Sequence, residues 1–396
     1  MKRLPLLLLV ITLFTASTAV QSQQKMADLI AANFQFAENQ YKLLMQHVTP
    51  GKMPQRYEQA NNNWVNMEIQ WWCSGFYPGS LWYIYEQTGD SSIKKEAERA
   101  LEVIKPNQFY TDHHDLGFMM YCSFGNAYRI TGNEAYKQPI LNAADALITR
   151  FRPGIPAIQS WNKSKKFNCP VIIDNMMNLE LLEWAARNGG NKKGSEIARL
   201  HTATTTKNHY RPDYSSYHVI DYDTATGAVL QKRTHQGYAD NSAWSRGQAW
   251  GLYGYVMMYR FTKNKAYLQQ AQNIAGFILN HPRLPADKIP YWDYDAPNIP
   301  DAVRDVSAAA ITASALLELG QYTKGKQKEK YLSDATTILR ALDSDQYKAA
   351  PGTNGGFLLL HSTGALPFNS EIDVPLIYAD YYFLEALKRY KDWYLK

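Results

Sequence analysis

The chain has 396 residues, of which 45% are hydrophobic and 20% are charged, as in a folded protein and unlike a disordered one. Its net charge of +6 is small and no block of Lys and Arg stands out, so no nucleic-acid partner is expected, whereas mild attraction of an anionic ligand is compatible with this charge. The 28 Tyr and 10 Trp residues supply flat faces that build cores or stack on sugar rings.

The N-terminal segment has the pattern of a secretory signal peptide. Lys2 and Arg3 precede an apolar run that ends in small residues. The run is too short to span a membrane comfortably and no later stretch is more apolar, so no membrane span is expected. We therefore predict a signal peptide over residues 1–22, one mature domain over residues 23–396, and a secreted or periplasmic protein.

A pattern of two consecutive helices repeats along the chain. Residues 82–104 show it first, with an apolar helix, a turn containing Gly and Asp, and a second helix rich in Lys and Glu. An opening helix near residues 26–47 and a closing helix near residues 373–390 bring the predicted number of helices to about twelve. Four further stretches repeat the pattern, at residues 124–147, 181–201, 253–279 and 315–342.

Six such pairs favour an inner ring of apolar helices inside an outer ring of amphipathic ones, although repeated helix pairs also build open solenoids. The repeat length varies between roughly 40 and 70 residues because long loops precede several apolar helices, which favours a closed toroid with one functional loop face. The clearest strand signal is HVIDYDTATGAVL, residues 218–230, which predicts a short β-hairpin in a loop of this otherwise all-α domain.

Charged residues recur where the apolar helices begin, at Asp115, Asp174, Arg246, Asp305 and Asp373. If these helices form the inner ring, their N-termini converge on one mouth, which they would share with His113, His114, Trp71 and Trp72. An acid at a helix start is also a common N-cap, and DHHD, residues 112–115, fits a capping box. Capping does not require Arg246, whereas a site for a sugar acid would, because a cation must meet the substrate carboxylate.

Several other kinds of site lack support in the sequence. The neighbouring residues His113 and His114 cannot both point at one ion from a regular helix, so no metal is expected. There is no glycine-rich phosphate loop after a strand and no Gly-x-Ser-x-Gly elbow, so no cofactor and no serine nucleophile are expected. The cysteines are an odd, scattered set without disulfide or zinc spacing: Cys73, Cys122 and Cys169.

Four motifs occur in a specific order and spacing: HHDLGF around Asp115, IIDNMMN around Asp174, HQGYADNSAWSRGQAWGLYGY at residues 235–255, and YWDYDAP at residues 291–297. Together they resemble glycoside hydrolase family 88, the unsaturated glucuronyl hydrolases, over nearly the whole mature chain. The resemblance implies an (α/α)6 barrel. It also implies a hydrolase that removes the 4,5-unsaturated uronic acid from the non-reducing end of lyase-generated glycosaminoglycan oligosaccharides, by hydrating the C4=C5 vinyl ether.

The resemblance implies roles for single residues as well. Asp174 would be the general acid/base and Asp115 its essential partner, and two neighbouring carboxyl groups do not both ionise readily. Because His114 is next to Asp115 in the sequence, we expect it to contact the substrate. Five more residues match substrate-contacting positions of the family: Trp72, His218, Gln236, Arg246 and Trp250.

One segment departs from the family's pattern. Some members place a tyrosine after the His of this segment, whereas LLLHSTGALP, residues 358–367, has Gly364 and Ala365 there, and neither is aromatic or basic. The loop also has no lysine that would favour a sulfate contact. Three alternatives stay open: an unsaturated rhamnogalacturonyl hydrolase, a polysaccharide lyase, and a glycan-binding protein without activity. The last is disfavoured, because paired carboxylates repel an anionic sugar unless one of them is protonated.

Overall fold

The computed structural model describes residues 6–395, with side chains described from residue 23 onward. The predicted signal peptide therefore lies outside the described side chains, and its first five residues lie outside the described backbone, so it stays a prediction. Within the described part of the chain, no helix has the length and apolar composition needed to cross a membrane.

Twelve α-helices in the described residues form two concentric rings. The outer ring consists of α1 (Leu6–Leu44), α3 (Ser91–Ile104), α5 (Lys137–Ile148), α7 (Lys193–Asn208), α9 (Lys265–Asn280) and α11 (Gly325–Leu342). The inner ring consists of α2 (Phe76–Thr88), α4 (Asn126–Thr131, preceded by a π-helical segment Gly117–Gly125), α6 (Asn175–Arg187), α8 (Ser245–Thr262), α10 (Val306–Gln321) and α12 (Ile377–Tyr394).

The composition of each helix explains its ring. The inner helix α10 is buried along its whole length from Val306 to Gly320, and five of these residues are alanine, which lets neighbouring helices approach closely. The outer helix α3 buries one stripe at helical spacing and exposes its Lys and Glu residues. Because α12 packs against α2, the inner ring closes on itself, and the predicted toroid is confirmed over the open solenoid.

Short strands lie in the loops that precede the inner helices: β1 (Lys52–Glu58), β2 (Asn63–Glu68), β3 (Phe151–Arg152), β4 (Ala157–Ile158), β5 (Pro170–Ile172), β6 (Val219–Tyr222) and β7 (Val229–Arg233). The predicted hairpin is confirmed as β6 and β7, whose turn contains Gly227 at a φ of +73°. The sequence reasoning missed the other strands, including β5, which pairs with β6. These strands are short, and long-range pairing stabilises them more than local propensity does.

Two buried histidines make the fold sensitive to acid. Nδ1 of His201 accepts a hydrogen bond from the backbone N–H of Ile158 (3.1 Å), and Nε2 of His209 bonds to the carbonyl oxygen of Val171 (3.1 Å). Both side chains are fully buried, and burial lowers the pKa of each to about 3. An unfolded histidine titrates near pH 6.5, so the unfolded chain takes up these protons first as the pH falls.

Stability supplied by these histidines is therefore complete above about pH 6.5 and is lost as the pH falls below it. These two histidines should contribute a slope of up to about 2.7 kcal/mol per pH unit, two protons' worth, to the fall in the free energy of unfolding between about pH 6 and pH 4.5. Urea unfolding followed across this range measures the slope. His201→Gln should remove about one proton, or about 1.4 kcal/mol per pH unit, and an unchanged slope would contradict this account.

Candidate active site

The N-terminal ends of the inner helices open into a cavity of about 700 Å³. Loops from the strand-bearing segments and from residues 361–374 form its rim. Six of the eight predicted site residues line the wall of this cavity: Trp72, His114, Asp115, Asp174, Gln236 and Arg246. The other two, His218 and Trp250, lie behind the wall.

Asp115 is a carboxylate surrounded by nitrogen atoms. His113 Nδ1 lies 3.2 Å from its Oδ2, and His114 Nε2 lies 3.3 Å from its Oδ1. Burial would raise the pKa of this carboxyl, but the two imidazoles and the Asn178 amide outweigh burial and lower the pKa below its usual value. Asp115 therefore stays ionised at neutral pH. The following helix has no side-chain cap, so the capping-box interpretation of residues 112–115 is wrong.

The two histidines beside Asp115 differ in their environments. Burial lowers the pKa of His114, so this ring stays neutral. Burial alone would also lower the pKa of His113, but its hydrogen bond to Asp115 raises the pKa above the ordinary value. His113 also bonds through Nε2 to the carbonyl oxygen of Gln70 (2.8 Å), which fixes the ring at the cavity wall.

Asp174 precedes α6 without capping it, so its carboxyl is free for another use. The side chain is nearly buried, and Oδ2 accepts no hydrogen bond from the protein. His218 Nε2 lies 3.5 Å from this oxygen. Because His218 Nδ1 accepts the backbone N–H groups of His235 (3.2 Å) and Gln236 (3.1 Å), the ring proton is on Nε2 and is directed at Asp174.

Arg246 and Asp305 form a buried ion pair. Nη1 of Arg246 donates to Oδ2 of Asp305 (2.9 Å), and the guanidinium also donates to the carbonyl oxygens of Thr363 and Gly364 (2.7 Å each). Asp305 in turn caps α10 through the backbone N–H of Ser307 (3.1 Å). The expectation that Asp305 faces the cavity is thus wrong, because this carboxylate lies behind Arg246 and balances its charge.

Asp373 is, after Asp305, the second predicted acid that does not face the cavity. It is exposed, lies outside the cavity wall, and pairs with His361 at 2.6 Å. The carboxylate that this loop contributes to the cavity belongs to Glu371, two residues earlier. Glu371 was not predicted from the sequence because the closing helix was expected to begin near residue 373, whereas α12 begins at Ile377.

The tryptophans divide between the cavity wall and the core. Trp72 lines the cavity and is backed by Phe118 (ring centroids 5.4 Å apart) and Tyr378 (4.9 Å). Trp250 is fully buried and packs against Phe118 (5.1 Å) and Tyr382 (5.4 Å), so it supports the wall from behind and has no surface in the cavity.

A second aromatic wall was not predicted. Trp161 lies 5.3 Å from His235, which lies 4.6 Å from Phe368, so three rings from distant segments form one surface. Burial lowers the pKa of His235 to about 4, which keeps the ring neutral. The one sequence signal for this wall was a tryptophan, Trp161, in the polar stretch QSWNKS, outside any helical pattern.

The arrangement is suited to acid–base chemistry on a sugar. An ionised carboxylate and a second, uncapped carboxyl meet between two aromatic walls, which offer stacking faces for sugar rings. Among residues 23–395, no group of three or more His, Cys, Asp and Glu side chains lies close enough to hold a metal ion. A carboxyl pair in an aromatic-lined cavity at the mouth of an (α/α)6 barrel fits a carbohydrate-active enzyme.

Comparisons with known proteins give the family. The sequence profile of Glycosyl Hydrolase Family 88 matches residues 44–316. An unsaturated glucuronyl hydrolase of Formosa agariphila is 43% identical over 403 residues, which covers 100% of both chains. An unsaturated chondroitin disaccharide hydrolase of Streptococcus agalactiae is 35% identical over 342 residues, 85% of each chain. This chain belongs to glycoside hydrolase family 88 and is a glycoside hydrolase.

The fold agrees with this assignment. The crystal structure of an unsaturated glucuronyl hydrolase specific for heparin superposes with a TM-score of 0.89 at 49% sequence identity. The match covers 92% of this chain and 97% of that one. The prediction of an (α/α)6 barrel of this family is therefore confirmed.

Proposed function

We propose that this protein removes the 4,5-unsaturated uronic acid from the non-reducing end of glycosaminoglycan di- and oligosaccharides that a lyase has released. The observation that carries the proposal is the carboxyl pair Asp115 and Asp174, placed between two aromatic walls in a cavity of about 700 Å³. This volume is in the range of small-ligand sites. The family membership and the activities of the relatives support the same substrate class.

In the proposed reaction, the carboxyl group of Asp174 donates its proton to C4 of the unsaturated ring. The same group, now a carboxylate, takes a proton from a water molecule whose oxygen bonds to C5. The product at C5 is a hemiketal, which opens to a ketone, and the sugar opened in this way releases its partner without direct attack on the glycosidic bond. One molecule of water is consumed, and no redox partner or cofactor is needed.

The neighbours of the two carboxyl groups suit this division of roles. Asp115 is held ionised by His113 and His114, so it is not the proton donor of the pair. As an ionised group in the same cavity, it would stabilise positive charge developing on the sugar ring after protonation. Oδ2 of Asp174 accepts no hydrogen bond, and the Nε2–H of His218 is directed at it from 3.5 Å, so the carboxyl group is available for contact with the sugar and with water.

Ultraviolet absorbance of unsaturated disaccharides tests the function directly, because the conjugated C4=C5 bond absorbs and its hydration product does not. The panel consists of unsulfated unsaturated disaccharides from chondroitin, hyaluronan and heparin, with an unsaturated rhamnogalacturonan fragment as the comparison. We expect absorbance to fall with the glycosaminoglycan substrates. A fall only with the rhamnogalacturonan fragment, or a rise with intact polymer, would contradict the proposal.

We also propose that the protein acts outside the cytoplasm, in a periplasm or beyond the cell. The basic start, apolar run and small residues of the first 22 residues support export. N-terminal sequencing of protein purified from the periplasmic and extracellular fractions of its natural host checks this. A mature chain that begins near residue 23 is the expected result.

A further inference from the structure

The segment of residues 361–374, here called the C-terminal hairpin, brings one unexpected charge into the cavity. Its two sides are joined by the bridges Ser362 to Val374 and Ala365 to Ser370, and its tip carries Phe368. Between these bridges, Glu371 lies against Gly364 and lines the cavity.

The contact between Glu371 and Gly364 leaves no room for a side chain at position 364. A Cβ atom on Gly364 would collide with Oε2 of Glu371 and would lie 2.7 Å from its Cβ and 2.8 Å from its Cδ. A side chain at position 364 and the carboxylate of Glu371 therefore exclude each other. At this point of the hairpin, the group that lines the cavity is the carboxyl group of Glu371.

The carboxylate is held in place by a polar chain from β1. Gln55 Nε2 donates to Oε1 of Glu371, and Gln55 Oε1 accepts from Nη1 of Arg56 (2.8 Å). Glu371 also adopts a φ of +57°, a left-handed conformation that is unfavourable for residues other than glycine. His361, Asn369 and Asp373 of the same hairpin adopt similar positive φ values, so this conformation belongs to the tight backbone of the hairpin.

The charges along the cavity wall determine how strongly Glu371 would repel an anionic ligand. Four carboxylic acids line the wall: Glu68, Asp115, Asp174 and Glu371. No lysine does, and Arg246 is already paired with Asp305. His113 is paired with Asp115. The cavity must already accommodate the carboxylate of the substrate's uronic acid. A second anionic group on the substrate beside Glu371 would be repelled by this carboxylate, and no unpaired cation of the cavity wall would offset the repulsion.

We propose that Glu371 is a specificity-determining residue that selects against substrates with a sulfate on the sugar next to the unsaturated uronic acid. This inference rests on the proposed function. The selection acts through repulsion between sulfate and carboxylate at the C-terminal hairpin, where Ala365, Phe368 and Ser370 form the adjoining wall. Neutral or amine-bearing sugars escape the repulsion, because their hydroxyl or ammonium groups can donate to Glu371.

The test compares kcat/KM on unsulfated, 4-sulfated and 6-sulfated unsaturated chondroitin disaccharides for the wild type, Glu371→Gln and Glu371→Asp. The readout is the sulfated-to-unsulfated ratio within each variant, so that general losses of activity cancel. We expect the wild-type ratio to be below about 0.1 for at least one sulfated substrate. Glu371→Gln should raise that ratio at least about tenfold, equivalent to about 1.4 kcal/mol, whereas Glu371→Asp keeps the charge and the low ratio.

Ala365→Lys supplies a second route, because it adds a cation to the same wall without touching Glu371. It should also raise the ratio, and it keeps the test decisive if Glu371→Gln is unstable. A wild type that accepts sulfated and unsulfated substrates equally, or a ratio that neither Glu371→Gln nor Ala365→Lys moves, would overturn this inference alone. A wild type inactive on every unsaturated glycosaminoglycan disaccharide would instead overturn the proposed function, and the inference with it.

Discussion

Asp174→Asn is expected to reduce kcat on an unsaturated disaccharide by about 10²–10⁴-fold, the contribution of a positioned general acid/base. Asparagine has the shape of aspartate but can neither donate the carboxylic proton to C4 nor accept one from water. KM should change little, because the amide can still contact the sugar. Loss of ultraviolet absorbance in single-substrate kinetics measures both constants.

A matched control is available in the loop that carries Asp115. Asp112→Asn also removes one acid, but Asp112 is exposed and does not line the cavity, so its kcat should stay at the wild-type value. Thermal unfolding of both variants separates a catalytic loss from a folding defect. If Asp174→Asn kept more than about a tenth of the wild-type kcat, the acid/base would have to be another residue.

Arg246→Met is expected to lower the free energy of unfolding by about 3–5 kcal/mol, because it leaves the Asp305 carboxylate buried without its partner. The methionine keeps much of the side-chain length, so the lost charge dominates the effect. The variant also releases the carbonyl oxygens of Thr363 and Gly364 and so loosens the C-terminal hairpin over the cavity. Urea unfolding at neutral pH measures the loss.

The double variant Arg246→Met/Asp305→Asn is the control for this explanation. Removing the orphaned charge should recover part of the stability, and the double-mutant cycle then gives the coupling between the two residues. If Arg246→Met left stability unchanged while raising KM strongly, Arg246 would contact the substrate carboxylate and would not primarily hold the barrel mouth together.

Local sequence signals were enough to predict the ring of helix pairs. Apolar residues at helical spacing, glycine and asparagine at the turns, and charged second helices are local signals, and each repeats within a few dozen residues. The same regularity placed Asp115 and Asp174 at the starts of inner helices, where the closed ring brings them to one cavity. The β6–β7 hairpin was equally predictable, because its turn is encoded in a few consecutive residues.

Which polar residues pair with one another and which line the cavity could be read only from the folded structure. Arg246 and Asp305 are 59 residues apart, and no local pattern indicates that they neutralise each other. The proton of His218 is placed by two backbone groups 17 and 18 residues away. Glu371 reaches the cavity because Gly364 leaves room for it across the hairpin. Helix periodicity reports which face is buried, whereas ion pairs and hydrogen bonds depend on which distant segments the closed ring brings together.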